Sequence, residues 1–140
     1  MAGDCSICIG VRYDDLDANG HVRGSAYVAY ADHARWEVVR SAGATLDALT
    51  SNGLGPVNLE TTVRFRDELR AGDNVNVSCV FVWGDGKTYS IQQELRCSDG
   101  KLAAEVASVC GVLELSERRL VADPALAWRQ VASRPELPEL

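Results

Sequence analysis

Asp14, Asp15, Asp17 and His21 crowd into the stretch Val11-Arg12-Tyr13-Asp14-Asp15-Leu16-Asp17-Ala18-Asn19-Gly20-His21-Val22, just ahead of a long apolar segment. A carboxylate-rich turn that runs into a helix start sets a negative nucleophile or base beside backbone N–H groups. Those N–H groups polarise a carbonyl. The pairing suits attack on a thioester. The same residues also begin like a calcium loop, with Asp15, Asp17 and Asn19 at alternate positions and Gly20 at the glycine site. The twelfth position of such a loop falls on Ala26, where a bidentate Glu is required, and the residues before it alternate like a strand. Calcium is therefore disfavoured. Asp17 has a plain reading too, as a turn-forming or helix-capping carboxylate. Asp14 and Asp15 read as structural or solvent-facing. His21 reads as a residue that positions the loop, with protonation of a thiolate leaving group as the alternative.

The elements that must hold these residues follow from periodicity. Cys5, Ile7, Ile9 and Val11 alternate as a first strand. Residues 25–42 place Tyr27, Tyr30 (or Ala31), Ala34, Val38 and Ala42 at helical spacing, with Ser25 to cap the start and Gly43 beyond the end. Ala26, Ala29, Trp36 and Val39 extend the apolar surface beyond one stripe, which predicts an enclosed helix whose alanines let a sheet approach. A short helical turn is expected at 45–50. Val57, Leu59, Thr61, Val63 and Phe65 then form one face of a second strand, with Asn58, Glu60, Thr62, Arg64 and Arg66 opposite. Further strands follow at Val75–Trp83, Tyr89–Cys97 and 102–115, the last two joined by the hairpin signal Ser98-Asp99-Gly100. A helix over 125–132 and a frayed end at 134–138 close the chain. Successive strands with tight turns predict an antiparallel meander, and one buried helix makes this an α+β fold with the sheet wrapped around it. The exposed edges of such a sheet make a dimer the natural completion.

The composition narrows the partners. The 140 residues are expected to form a single domain, and 46% hydrophobic content excludes a disordered chain. A net charge of −6 without a basic tract speaks against nucleic acid. No apolar run has membrane-spanning length, so a cytoplasmic protein is the expectation. Five cysteines do not make a complete disulfide framework. Cys5 and Cys8 form a lone CxxC, but three residues apart on a strand they face opposite sides and cannot chelate one ion. No metal and no cofactor are expected.

The motif of residues 11–22 resembles that of the hot-dog-fold acyl-CoA thioesterases, in particular the hydroxybenzoyl-CoA thioesterase-like branch. Tyr27 and Ala34-Arg35-Trp36 in the helix, Val57-Asn58-Leu59-Glu60 on the second strand, and Leu69-Arg70-Ala71-Gly72-Asp73 between strands extend the resemblance over nearly the whole chain. The resemblance implies a hot-dog fold and hydrolysis of an acyl-CoA, or of an acyl group on a carrier protein. It implies Asp17 as nucleophile or general base, and Gly24 as the residue whose N–H faces the thioester oxygen. His21 joins them as a catalytic candidate. Asn19, Arg23, Ser25, Tyr27, Glu60, Thr61 and Lys87 are the implied substrate-binding positions, and a homodimer or homotetramer the implied assembly. Many relatives carry Asn after the His-Val pair, where this chain has Arg23-Gly24. Two rival functions fit the same fold. One is an enoyl-thioester hydratase or dehydratase working through Asp17 and His21; the other is an acyl-thioester-binding protein without turnover.

Overall fold

The structure is a computed structural model and describes residues 5–134; of Cys5 only the backbone is described. The chain runs β1 (Cys5–Gly10), α1 (Gly24–Ser41), α2 (Leu46–Ser51), β2 (Leu54–Phe65), β3 (Asn74–Trp83), β4 (Tyr89–Cys97), β5 (Leu102–Glu114), β6 (Arg119–Leu120) and α3 (Pro124–Val131). This is an α+β fold, an antiparallel sheet curled against one long helix. The end read at 134–138 lies, beyond Arg134, outside the described residues.

Strand order corrects the expected meander. Only β3, β4 and β5 follow one another; β1 pairs with β3 at one edge and β2 pairs with β5 at the other. The reason lies in residues 66–73. The amides of Arg66 and Asp67 both donate to Ala103 O (2.8 and 3.0 Å), which carries the chain away from β2 and across the sheet end. Leu69, fully buried, plugs the space beneath α1 on the way.

The face assignment of β2 needs a second correction. A bulge between Asn58 and Glu60 leaves Leu59 without a partner on β5. Beyond the bulge, Thr61, Val63 and Phe65 lie opposite Ser108, Val106 and Ala104 on the helix side of the sheet. Before it, Asn58 and Pro56 take those positions, opposite Cys110 and Val112. Val57 is thereby moved to the outer face, and Asn58, read as an outward residue, turns inward.

α1 packs on the sheet through Ala26, Tyr27, Tyr30, Ala31, Ala34, Val38 and Val39. The alanines, almost without exposure, let the helix backbone settle against Val75, Val77, Leu95, Ala104 and Val106. Each fully buried Val or Leu adds roughly 1.5–3 kcal/mol over an exposed one. The helix is not enclosed by this chain, because Val28, Ala29, Asp32 and His33 stay exposed. Nor does Ser25 cap it: the helix opens at Gly24, and Arg23 at the cap position supplies no side-chain hydrogen bond. Gly43 ends the helix as expected, at φ +86°, where a Cβ would sit 1.9 Å from Ser133 Oγ. Thr45 caps α2 through Ala48 N (3.1 Å), and Asp123 caps α3 through Leu126 N (3.1 Å). α3 lays Trp128 over a second core cluster built on Tyr89, Ile91, Cys110 and Val112.

Candidate active site

Between β1 and α1 the chain makes a 3-10 turn at Tyr13–Asp15 and then a tight loop closed by a bridge between Leu16 and Val22. The loop is held by Asp17 N donating to His21 O (2.7 Å) and Gly20 N donating to Asp17 O (3.1 Å). Gly20 adopts φ +77°, a conformation costly to any side chain. Within it, Asp17 Oδ1 accepts from the amides of Asn19 (2.8 Å) and His21 (3.2 Å). Asp17 is exposed. Its carboxylate thus serves the turn, as the plain reading has it, while remaining open to solvent.

Asp15 has a different environment. Half-buried, it receives the Tyr30 hydroxyl at 2.6 Å and the Arg12 amide at 3.2 Å, with the Arg23 guanidinium 3.7 Å from its other oxygen. Burial and the adjacent Asp15 carboxylate push the Tyr30 phenol far above its ordinary value. Arg23 also donates to Asp14 O and, through Nε, to Ser25 Oγ (3.1 Å), so it staples the loop to the helix start. Asp14 pairs with Arg12 at 2.9 Å, and that hydrogen bond holds its carboxyl below the usual range. The carboxylates of Asp15 and Asp17 therefore serve separate partners rather than one cation. Among the described residues no group of three His, Cys, Asp or Glu could hold a metal ion.

His21 Nε2 lies 2.8 Å from Glu68 Oε2, and Glu68 is bound in turn by Arg70, which lowers its carboxyl. His21 and Arg70 also form a backbone bridge. This contact ties the loop to the β2–β3 connection. Tyr27 is helix packing. Its hydroxyl donates to Asp67 O (3.3 Å) and accepts from Leu69 N (3.1 Å), and its ring meets Phe65 edge-on at 5.0 Å. Gly24 sits under that same Phe65. A Cβ there would lie 3.4 Å from the ring, an ordinary van der Waals contact.

The remaining predicted binding residues do not gather around the turn. Glu60 and Thr61 occupy opposite faces of the edge strand β2, Glu60 on the face away from α1, and Thr61 Oγ1 accepts from Asn58 Nδ2 at 2.5 Å. Lys87 is exposed in the turn between β3 and β4. Nearby cations are paired with carboxylates: Arg66 with Glu105, Arg96 with Glu94, and Lys101 with Asp67.

Two clefts mark the surface. One, of about 480 Å³, is a polar groove on the outer sheet face between Arg64, Gln92 and Glu105. The other, of about 100 Å³ and mainly apolar, opens beside the second half of α1 and is lined by Arg35, Trp36, Asn58, Phe81, Tyr89 and Cys110. Neither Asp17 nor Gly24 lines either cleft. Sequence reasoning missed the second cleft, although an arginine within an apolar helical stripe is a visible signal for it.

The comparisons with known proteins agree with this architecture. The family described as the thioesterase-like superfamily matches residues 11–139. A hypothetical protein from Staphylococcus aureus, solved in complex with CoA, superposes with a TM-score of 0.84 at 20% identity, covering 94% of this chain and 82% of that one. A 1,4-dihydroxy-2-naphthoyl-CoA thioesterase from Synechocystis gives 0.80 at 17% identity, with 90% and 93% covered. A probable thioesterase from Escherichia coli gives 0.78 at 18% identity, with 84% and 89% covered.

Proposed function

Because this chain belongs to the thioesterase-like superfamily, we propose that it hydrolyses the thioester of an acyl-CoA, or of an acyl carrier protein, to the free acid and thiol. Asp17 is the nucleophile or general base and Gly24 N–H the carbonyl polariser. The observation that carries the reading is an exposed carboxylate in a hydrogen-bonded turn, one short segment before a helix whose first residue, Gly24, is itself exposed. As a nucleophile, the carboxylate oxygen bonds to the acyl carbon, the thiolate leaves, and water cleaves the anhydride. As a base, it takes a proton from the water that attacks. Either route puts negative charge on the carbonyl oxygen, where an oriented N–H supplies about 3 kcal/mol. Asn19, Arg23 and Ser25 around the helix start, Glu60 and Thr61 on β2, and Lys87 are the proposed substrate-contacting positions, while Tyr27, packed in the core, supports the helix start from beneath.

The assembly we propose is a homodimer, alone or paired into a tetramer, joined through the β2 edge. That edge offers a 12-residue strand with one side unpaired among the described residues, and Leu59 and Phe65 stand 51% and 57% exposed on it. Among the described residues no helix is long and apolar enough to cross a membrane.

A panel of acyl-CoAs assayed for free thiol tests the activity. Thiol release that exceeds the uncatalysed rate for at least one acyl group is expected. Hydration of an enoyl-CoA without thiol release would replace this reading with the hydratase, a reaction that His21 serves poorly while its Nε2 is committed to Glu68. Binding of acyl-CoA with no turnover of any kind would leave a binding protein.

A further inference from the structure

The loop that carries Asp17 leaves β1 at Val11 and enters α1 past Val22, and both ends rest on the connection between β2 and β3. Val11 N donates to Asp73 O (2.9 Å) and Val22 N to Leu69 O (2.8 Å). Leu69 is a firm support, because its side chain is fully buried and its amide donates to the Tyr27 hydroxyl at 3.1 Å. Glu68, the residue before it, carries that support into the loop. One of its carboxylate oxygens is held by Arg70, through Nε at 3.1 Å and through Nη2, and the other lies 2.8 Å from His21 Nε2.

His21 passes the restraint on through its backbone. Its amide donates to Asp17 Oδ1 (3.2 Å) and its carbonyl accepts from Asp17 N (2.7 Å), so a shift of His21 shifts the Asp17 carboxylate. On the other side of Asp17, Asp15 is bound to Tyr30 of α1 at 2.6 Å. Asp17 thus sits between two anchors, one on the helix and one on the connection. Glu68 itself is a poor proton acceptor: both oxygens are engaged, and the Arg70 hydrogen bond holds its carboxyl below the usual range. With side chains 37% and 38% exposed, the His21–Glu68 pair adds little to stability. Its effect is geometric, since a displacement of about 1 Å at a reacting group costs about 100-fold in rate. We propose that Glu68 is a positioning residue for thioester hydrolysis, which through His21 fixes the place of the Asp17 carboxylate. This rests on Asp17 as the reacting carboxylate.

Glu68→Ala, Glu68→Gln, His21→Ala and the double His21→Ala/Glu68→Ala test it, each assayed for thiol release from an acyl-CoA that the parent cleaves. NMR exchange of the Asn19 and His21 amides in the two Glu68 variants is the second readout, and it needs no activity. Glu68→Ala lowers kcat at least about tenfold with KM within about twofold. It also speeds exchange of both amides at least about tenfold. Glu68→Gln keeps an acceptor for His21 and changes either quantity by less than about threefold. His21→Ala loses as much kcat as Glu68→Ala, and the double variant no more than either, since each breaks the same chain of contacts. A loss carried by KM, additive losses in the double variant, or amide exchange in Glu68→Ala as slow as in the parent would each overturn the proposal. No thiol release by the parent, or undiminished turnover in Asp17→Asn, overturns it by another route. Those results remove the reading it rests on, while amide exchange still reports the hold of Glu68 on the turn, so the two failures are told apart.

Discussion

Asp15 and Asp17 stand two residues apart and are separated by environment into two roles. Asp15 is locked under Tyr30, Arg12 and Arg23, whereas Asp17 keeps its exposure and lends one oxygen to two amides of its own turn. Asp17→Asn preserves an acceptor for those amides, so the protein melts as before while thioester turnover falls by at least about 100-fold. Steady-state kinetics beside a thermal melt reads both, and an undiminished rate would remove Asp17 from the chemistry. Tyr30→Phe deletes the hydrogen bond to Asp15 and is expected to cost about 1–3 kcal/mol, measured from urea midpoints. The same phenol sets an alkaline limit. Its folded-state value is raised above the ordinary 10.0, so the unfolded chain releases the proton first and stability falls as pH rises. That contribution is complete below about pH 10 and is lost above it. Tyr89, raised mainly by burial, adds to the same decline. Melting temperatures taken from pH 8 to 11 should therefore fall less steeply in Tyr30→Phe than in the parent. The turn itself was legible in the sequence, because Asp, Asn and Gly at fixed spacing specify local backbone geometry. The Asp15–Tyr30 contact was not, because it depends on how α1 is rotated against the loop.

Among the elements, the helices and the long strands followed from periodicity, with limits shifted by a residue or so except at β2, which begins at Leu54 rather than Val57; the short β6 (Arg119–Leu120) had no signal in the pattern. Gly43 shows a local and a tertiary demand meeting at one position. Its φ of +86° already disfavours any side chain, and Ser133 occupies the space a Cβ would need. Gly43→Ala should cost more than about 1 kcal/mol, read from the shift in denaturant midpoint. A loss below a few tenths would mean that the residues after α3 do not pack there. β2 shows where a period of two misleads. The alternation from Val57 to Phe65 is unbroken in the sequence, yet the bulge at Leu59 inverts everything before it and brings Asn58 into the cleft with Cys110 and Arg35. A bulge is one additional residue in a ladder, and it becomes visible only when the partner strand is known.

For the whole molecule, the open question posed by the surface is the β2 edge. If two copies join there, Leu59→Lys places a charge in the seam and shifts the protein from dimer to monomer in sedimentation or light scattering, with its circular dichroism retained. A parent that sediments as a monomer would remove the proposed assembly. Amino-acid order alone determined the α+β class, the single long alanine-lined helix, the glycine-closed turns and the carboxylate loop ahead of the helix. These depend on contacts between residues close in sequence and on the alternation that separates a core face from a solvent face. Only tertiary structure decided which strands became neighbours, which side of β2 faced α1, which of two aspartates was locked away, and that Arg35 met Asn58 and Cys110 around a cleft. Those outcomes depend on residues dozens of positions apart, brought together by how the chain crosses the sheet end, and no local pattern carries that information.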